Sequence, residues 1–285
     1  MREPCDAGGS HVWPTSQLNA RHAVLDPGEG SHDRKARWRE SRIQARGQLV
    51  VEALSSDMRA AVYYGKTDVR IEAVADPEPE RGELLLEVHA AGICGTDLGE
   101  YVDGPTSYAV HGHPITQHSG PLIPGHEFSG RVVAVGKDVK DFAVGTVVST
   151  GAGISCGTCF QCERGRTNLC LEYSTIGLHR HGGLAQYCAA PAAICLDIAP
   201  YQLDEETAAL AQPMAIAVHS LGRGRPTTGG QVLILGAGGI GAFLVYAAAQ
   251  MDMHVTVADV DPERLAVARS LGASELLDGC TDIGE

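Results

Sequence analysis

The chain has 285 residues, 44% of them hydrophobic and 20% charged, a composition that allows two cores and excludes disorder of the whole. Its formal net charge of -13 argues against a nucleic-acid partner, because a phosphate backbone is repelled where a basic face is needed. The N-terminus, with Arg2, Glu3 and Asp6 and no apolar run, carries no recognisable signal peptide, and no stretch approaches the ~18 apolar residues of a membrane span.

Residues 1–57 mix both charges with scattered Gly and no sustained period, so they are expected to be a disordered or non-native N-terminal extension. At Met58 the texture changes to "MRAAVYYGKTDVRIEAV", which reads as a strand, a turn at Gly65 and a second strand, and Met58 is a candidate natural start. Further strands are predicted over Glu83–Val88, Arg131–Val135 and Thr146–Ser149, separated by Gly turns, with a His- and Pro-rich loop from Asp103 to Pro124 between them. The first domain, 58–221, is therefore expected to be all-β. A helix over Asp204–Leu221, with an N-cap candidate and acids in its first turn, is expected to join the domains and to be kinked or interrupted at Pro213.

The second domain, 222–285, opens with the strand Val232–Leu235, the turn "GAGGIG", a helix from Ile240 to about Gln250 and the strand Val255–Ala258, which together make a βαβ unit. Asp261 then caps a helix that has Pro262 at its first position and Gly272 past its end. One more strand is expected near Ser274.

Cys156, Cys159, Cys162 and Cys170, in the pattern C-x2-C-x2-C-x7-C within 151–173, suit a closed structural zinc site. Disulfides or an iron–sulfur cluster also use closely spaced cysteines, although Leu171 rather than Pro follows the last one. The turn Gly236, Gly238, Gly239, Ile240 and Gly241 follows a strand and opens a helix, so its N–H groups are placed to face a pyrophosphate. Asp259, 18 residues after Gly241, is expected to accept hydrogen bonds from the adenosine ribose and to favour NAD over NADP. By spacing alone, a single Cys94 and a His126 are ordinary core residues.

The runs "AAGICGTDLGEYVDGP", "PLIPGHEFSGRVVAVG", "CGTCFQCERGRTNLC" and "VLILGAGGIGAFL" resemble the medium-chain zinc-dependent alcohol dehydrogenases, and the GHE triplet with the "EYVDGP" insertion resembles their butanediol and sorbitol branch. The resemblance runs from Met58 to about Asp278. It implies an α/β plus β architecture: a GroES-like β-barrel catalytic domain followed by part of a Rossmann doubly wound parallel sheet. It also implies that Cys94, His126 and Glu127 hold a catalytic zinc, with Glu127 either a ligand or a carboxylate beside the ligands, and that the Thr96 hydroxyl touches the substrate oxygen. The implied activity is hydride transfer between a secondary alcohol or vicinal diol, or the ketone in reverse, and NAD. The full-length form is expected to be a homo-oligomer with small-molecule substrates and neither nucleic-acid nor membrane partners. Cys5, Cys188, Cys195 and Cys280 remain as free thiols, which suits a reducing, cytoplasmic setting.

Two residues depart from the branch. Gln212 stands before Pro213 where a carboxylate is usual, and Gly99 stands where a His is usual, so a proton relay would need water, the cofactor ribose or one of His111, His113 and His118. Only about three strands follow Gly229, against six in the family, so a C-terminal truncation is expected. The alternative reading is a catalytically silent zinc-binding relative acting as a structural or interaction module.

Overall fold

The computed structural model describes residues 57–279, so the expectation for the N-terminal extension falls, apart from Asp57, outside the described residues. They divide into two compact units at Ala215/Ile216.

The first unit is organised on a five-stranded antiparallel sheet of order β8-β3-β4-β5-β9. Its centre is β4 (Phe128–Val135), flanked by β3 (Glu83–Ala91) and β5 (Val147–Thr150), with β8 (Tyr187–Pro191) beyond β3 and β9 (Cys195–Asp197) beyond β5. The run Leu84-Leu85-Leu86 has no polar alternation because the strand is covered on both faces. Leu84 and Leu86 pack with Phe128, Val132, Val148 and Ile176, whereas Leu85 points the other way to Met58, Ala60, Val62 and Ile123. All three leucines are fully buried, and each contributes about 1.5–3 kcal/mol of burial. The hairpin β1 (Asp57–Gly65) and β2 (Asp68–Ala75) forms around Lys66-Thr67, and its Ala60 bridges to Ala185 in the chain just before β8.

The all-β expectation is corrected in one respect. The run "GTDLGEYVD" forms the helix α1 (Gly95–Asp103), although it contains two glycines. Its start is fixed because Cys94 is the N-cap and its N–H donates to Asp97 Oδ2 at 2.8 Å, one half of a capping box. Its end is tied by the buried Glu100, whose carboxylate accepts from the Thr106 and Ser107 N–H groups. The linking helix is also not one piece. Asp204 caps α3 (Glu205–Ala209), the chain turns at Leu210, and α4 (Ala211–Arg223) follows. The interruption expected around Pro213 is present: Pro213, in the first turn of α4, has no N–H to give to the carbonyl of Ala209, the last residue before the break.

In the second unit β10 (Gln231–Leu235), β11 (His254–Asp259) and β12 (Glu275–Asp278) form a parallel sheet in sequence order. The connections are α5 (Gly239–Ala249) and α6 (Pro262–Ser270), and the apolar strand interiors Ile234, Val255 and Val257 pack with Val245, Ala248 and Ala268. As expected, Asp261 caps α6 by accepting from Glu263 N–H at 2.8 Å, and Gly272 ends it with φ +109°. No helix of the described residues is long and apolar enough to cross a membrane.

Candidate active site and metal centres

Cys94 and His126 are 32 positions apart, and the β3–β4 register joins them. Ala91 pairs with Phe128 at the end of the ladder, so the residues just after β3 and just before β4 leave the sheet side by side. The Cys94 sulfur, a His126 ring nitrogen and a Glu127 carboxylate oxygen all lie within 4.8 Å of one another. His126 and Glu127 are buried. Glycine is required at two places around them. Gly125 has φ +97°, and a Cβ at Gly92 would stand 2.6 Å from Glu127 Oε2.

The electrostatics of this trio suit a cation. Burial pushes the Cys94 thiol up, the Glu127 charge adds to this, and the Thr96 main chain offsets only part of it. A divalent ion would reverse that balance and hold the thiolate. His126 Nδ1 is buried without a hydrogen-bond partner, an orphan that needs explanation in a folded core. Its nearest charged neighbour is Asp97 Oδ1 at 3.7 Å, the acid that also caps α1. Tyr108 O–H donates to the same Oδ1 at 2.6 Å, and burial together with the Asp97 charge keeps that phenol protonated well above its ordinary value. Thr96 Oγ1 lies 3.8 Å from the Cys94 sulfur, on the exposed side of the N-terminus of α1.

Asp97 and Tyr108 were missed in the sequence. The signal for Asp97 was its spacing of three from Cys94, a capping-box interval hidden by an unusual capping residue. Gly99 lies in α1 with open space where a side chain would stand. His113 and His118 are engaged with His179 and His181, and Gln212 is the second residue of α4.

The four-cysteine lobe is closed at its base by β6 (Gly153–Ile154) pairing with β7 (Ser174–Thr175). Cys159 caps the short α2 (Phe160–Glu163), which carries Cys162 inward. Three sulfur pairs are 3.5, 3.6 and 3.9 Å apart. Four sulfurs at 2.3 Å from one tetrahedral ion are about 3.8 Å from each other. A disulfide needs about 2.05 Å, and all seven described cysteines are free, so the disulfide alternative does not hold. Main-chain N–H groups of Cys156, Cys159 and Glu172 point at these sulfurs at 3.3 Å. Such donors from Leu171 and Cys162 bring Cys159 down to about 6, while burial raises Cys162. The residues of both clusters therefore fit metal ions.

In the second unit Gly236 takes φ +90°, and a Cβ at Gly241 would overlap the Gly236 carbonyl. Gly238 caps α5, whose first residues are Gly239, Ile240 and Gly241. Asp259 is buried at the end of β11, where Oδ2 accepts from Ala237 N–H at 2.6 Å and Oδ1 from Asp261 N–H at 2.9 Å. Burial pushes this carboxyl up, but the main-chain donors outweigh it and the net shift is downward.

Residues 80–200 match the alcohol dehydrogenase GroES-like domain. Sorbitol dehydrogenase from Bacillus subtilis is 32% identical over 231 residues, covering 80% of this chain and 63% of that protein. L-threonine 3-dehydrogenase from Aeromonas salmonicida is 36% identical over 222 residues, covering 77% of this chain and 60% of that protein. The crystal structure of 2R,3R-butanediol dehydrogenase from Bacillus subtilis superposes with a TM-score of 0.73 at 31% identity, covering 79% of this chain and 64% of that one.

Residues 80–200 thus belong to the alcohol dehydrogenase GroES-like domain family, and over most of its length the chain is similar to zinc-dependent medium-chain dehydrogenases. Their GroES-like fold and parallel-sheet unit are those described above, and the resemblance seen in the four sequence motifs is borne out. The chain spans 63% and 60% of the lengths of the two curated relatives named here.

Proposed function

We propose that this chain is part of a zinc-dependent oxidoreductase that transfers hydride between a secondary alcohol or vicinal diol and NAD. The observation that carries this reading is the Cys94, His126 and Glu127 trio, gathered within 4.8 Å beside the Thr96 hydroxyl. A Zn2+ held there supplies a Lewis acid toward an alcohol oxygen, and NAD+ bound at the glycine turn supplies the hydride acceptor.

The chain's own residues do the rest. The Cys94 thiolate and the Glu127 carboxylate would balance the charge of the ion, while His126 contributes a neutral donor. Asp97, fixed through Cys94 N–H and Tyr108 O–H, stands 3.7 Å from His126 Nδ1 and would orient the ring as a ligand. The Thr96 hydroxyl, 3.8 Å from the Cys94 sulfur, would take the alcohol proton and pass it outward. The N–H groups at the start of α5 attract the pyrophosphate, and the Asp259 carboxylate accepts from ribose hydroxyls and repels a 2'-phosphate, so NAD is preferred over NADP. In the cysteine lobe Cys156, Cys159, Cys162 and Cys170 would hold a second zinc whose binding and local folding are one process.

The same reading makes the protein cytoplasmic, since its ligand cysteines must stay reduced, and homo-oligomeric with small-molecule substrates. The test is metal content together with turnover. Zinc measured by plasma mass spectrometry should approach two equivalents, and Cys94→Ser should lower this to one and abolish alcohol-dependent NAD+ reduction while circular dichroism is unchanged. A Cys94→Ser protein that keeps both equivalents, or keeps its turnover, would refute the assignment.

A further inference from the structure

Two pairs of imidazoles join the 111–121 loop to the turn that follows β7. His113 stacks on His179 with ring centroids 4.2 Å apart, and His118 meets His181 edge to face at 4.8 Å. The main chain fixes the protonation of three of these rings. Thr116 N–H donates to His113 Nδ1 at 3.2 Å, Thr175 N–H to His179 Nδ1 at 3.0 Å, and Ile123 N–H to His181 Nδ1 at 3.1 Å. A nitrogen that accepts an N–H has its lone pair committed, so each of these rings is neutral and carries its proton on Nε2. For the same reason the cluster is a poor cation site: the one ring nitrogen left with a free lone pair is His118 Nε2, buried and unpartnered. Two further bonds cross or brace the contact, from Thr116 O–H to the His179 carbonyl and from His113 N–H to the His118 carbonyl at 2.9 Å.

We propose that these four histidines form an acid-sensitive clasp that holds the 111–121 loop against the 175–182 turn when neutral and releases it when protonated. A proton on Nδ1 of His113, His179 or His181 turns an acceptor into a donor that faces another N–H, so each protonation breaks one main-chain bond. It also places cationic rings within about 5 Å of each other, where repulsion is strong at the low effective dielectric of a protein surface. Arg180 adds a positive charge beside His181, partly absorbed by Glu83 Oε1 from β3 at 2.7 Å, and His111 is the remaining imidazole of the loop.

Burial lowers the proton affinity of His118, and burial with the neighbouring His113 lowers that of His179. His181, partly open to solvent, is lowered first by loss of water around its ring and then by His118 and Arg180. Each group is depressed below the ordinary value of 6.5. The clasp therefore keeps its full strength above that pH and weakens as pH falls below it, because the open form binds protons more readily.

The experiment is hydrogen exchange read by mass spectrometry on the full chain from pH 8 to pH 5, corrected for the intrinsic rate. Peptides from 111–121 and 175–182 should lose protection by about tenfold per pH unit for each proton taken up, while peptides from β3 stay protected. In a triple variant, His113→Asn, His179→Asn and His181→Asn, each amide Oδ1 stands in for Nδ1, accepts the same N–H and does not titrate, so only His118 still takes up a proton and protection should fall by no more than about tenfold per pH unit. Wild-type protection that is constant over this range overturns the proposal. So does a triple variant that opens as steeply with pH as the wild type, since metal loss or general softening would then be the cause. If the variant does not fold, imidazole titration by NMR in the wild-type chain decides. His118, His179 and His181 titrating at 6.5 with unmoved loop amides overturns the clasp, and depressed titration accompanied by loop amide shifts supports it.

Discussion

Replacing Gly125 by alanine separates two costs that usually come together, because the fold supplies a matched control. Gly125 has φ +97° and Gly145 has φ +98°, so both substitutions force a Cβ into the left-handed region at a cost of about 1–2 kcal/mol. At Gly145 nothing lies within 4 Å of the new carbon. At Gly125 it would stand 2.7 Å from Leu184 N and 2.8 Å from Leu184 Cγ. Leu184 cannot easily withdraw, since its N–H is bonded to the Pro124 carbonyl at 2.9 Å and Gly183 N–H to the Gly125 carbonyl at 2.9 Å. Overpacking of this kind adds about 1–3 kcal/mol. Gly145→Ala should thus destabilise by about 1.5 kcal/mol, and Gly125→Ala by about 3.5 kcal/mol. Urea unfolding followed by circular dichroism at fixed zinc concentration, with unchanged m, measures both. Gly125→Ala should also weaken zinc retention, because His126 is the next residue. Equal losses of stability in the two variants would refute the argument from Leu184.

Tyr108→Phe removes the donor that fixes Asp97 Oδ1 and should weaken zinc at the Cys94 centre by about tenfold in chelator competition, with thermal unfolding little changed. Unaltered competition would mean that Cys94 N–H alone positions the carboxylate. Asp259→Ala strands the Ala237 and Asp261 N–H groups and removes the acceptor proposed for the ribose, so nucleotide titration should show weaker NAD binding and a ratio shifted toward NADP. A parent chain that already binds NADP better than NAD would contradict the role given to Asp259. Cys162→Ser should release one zinc equivalent and expose the segment between β6 and β7 to protease, leaving β3 and β4 intact. Intact resistance of that segment would show that the lobe folds without its ion.

Features carried by neighbours in sequence were the legible ones. The four-cysteine lobe could be read because its ligands lie within one short stretch, and the βαβ unit because its strand, glycine turn and capped helices follow each other without interruption. The Cys94 and His126 pair could not be read from spacing. What joins it is the Ala91 and Phe128 register, a property of two strands separated by a long loop, and only the resemblance of the motifs anticipated it. Helix α1 was hidden by Gly95 and Gly99 and by a cysteine in the capping position, where the pattern favours Ser, Thr, Asp or Asn. The break at Leu210 was legible through Pro213, because a proline leaves the carbonyl four residues before it, here that of Ala209, without a helical donor. The histidine pairs escaped entirely: His113 and His179 are 66 positions apart, and imidazoles carry no periodic signal that would pair them.

The spacing of the sulfurs in the cysteine lobe has a practical corollary. Thiols held 3.5 to 3.9 Å apart around an ion become partners for covalent cross-linking once the ion is stripped, and the acidified Cys159 is the nucleophile best placed to begin. Chelation in air would then seal the knuckle as cystines, and added zinc could not re-enter until a reductant reopened it. The metal count of a stored sample therefore records its history of oxygen and chelator as much as its affinity.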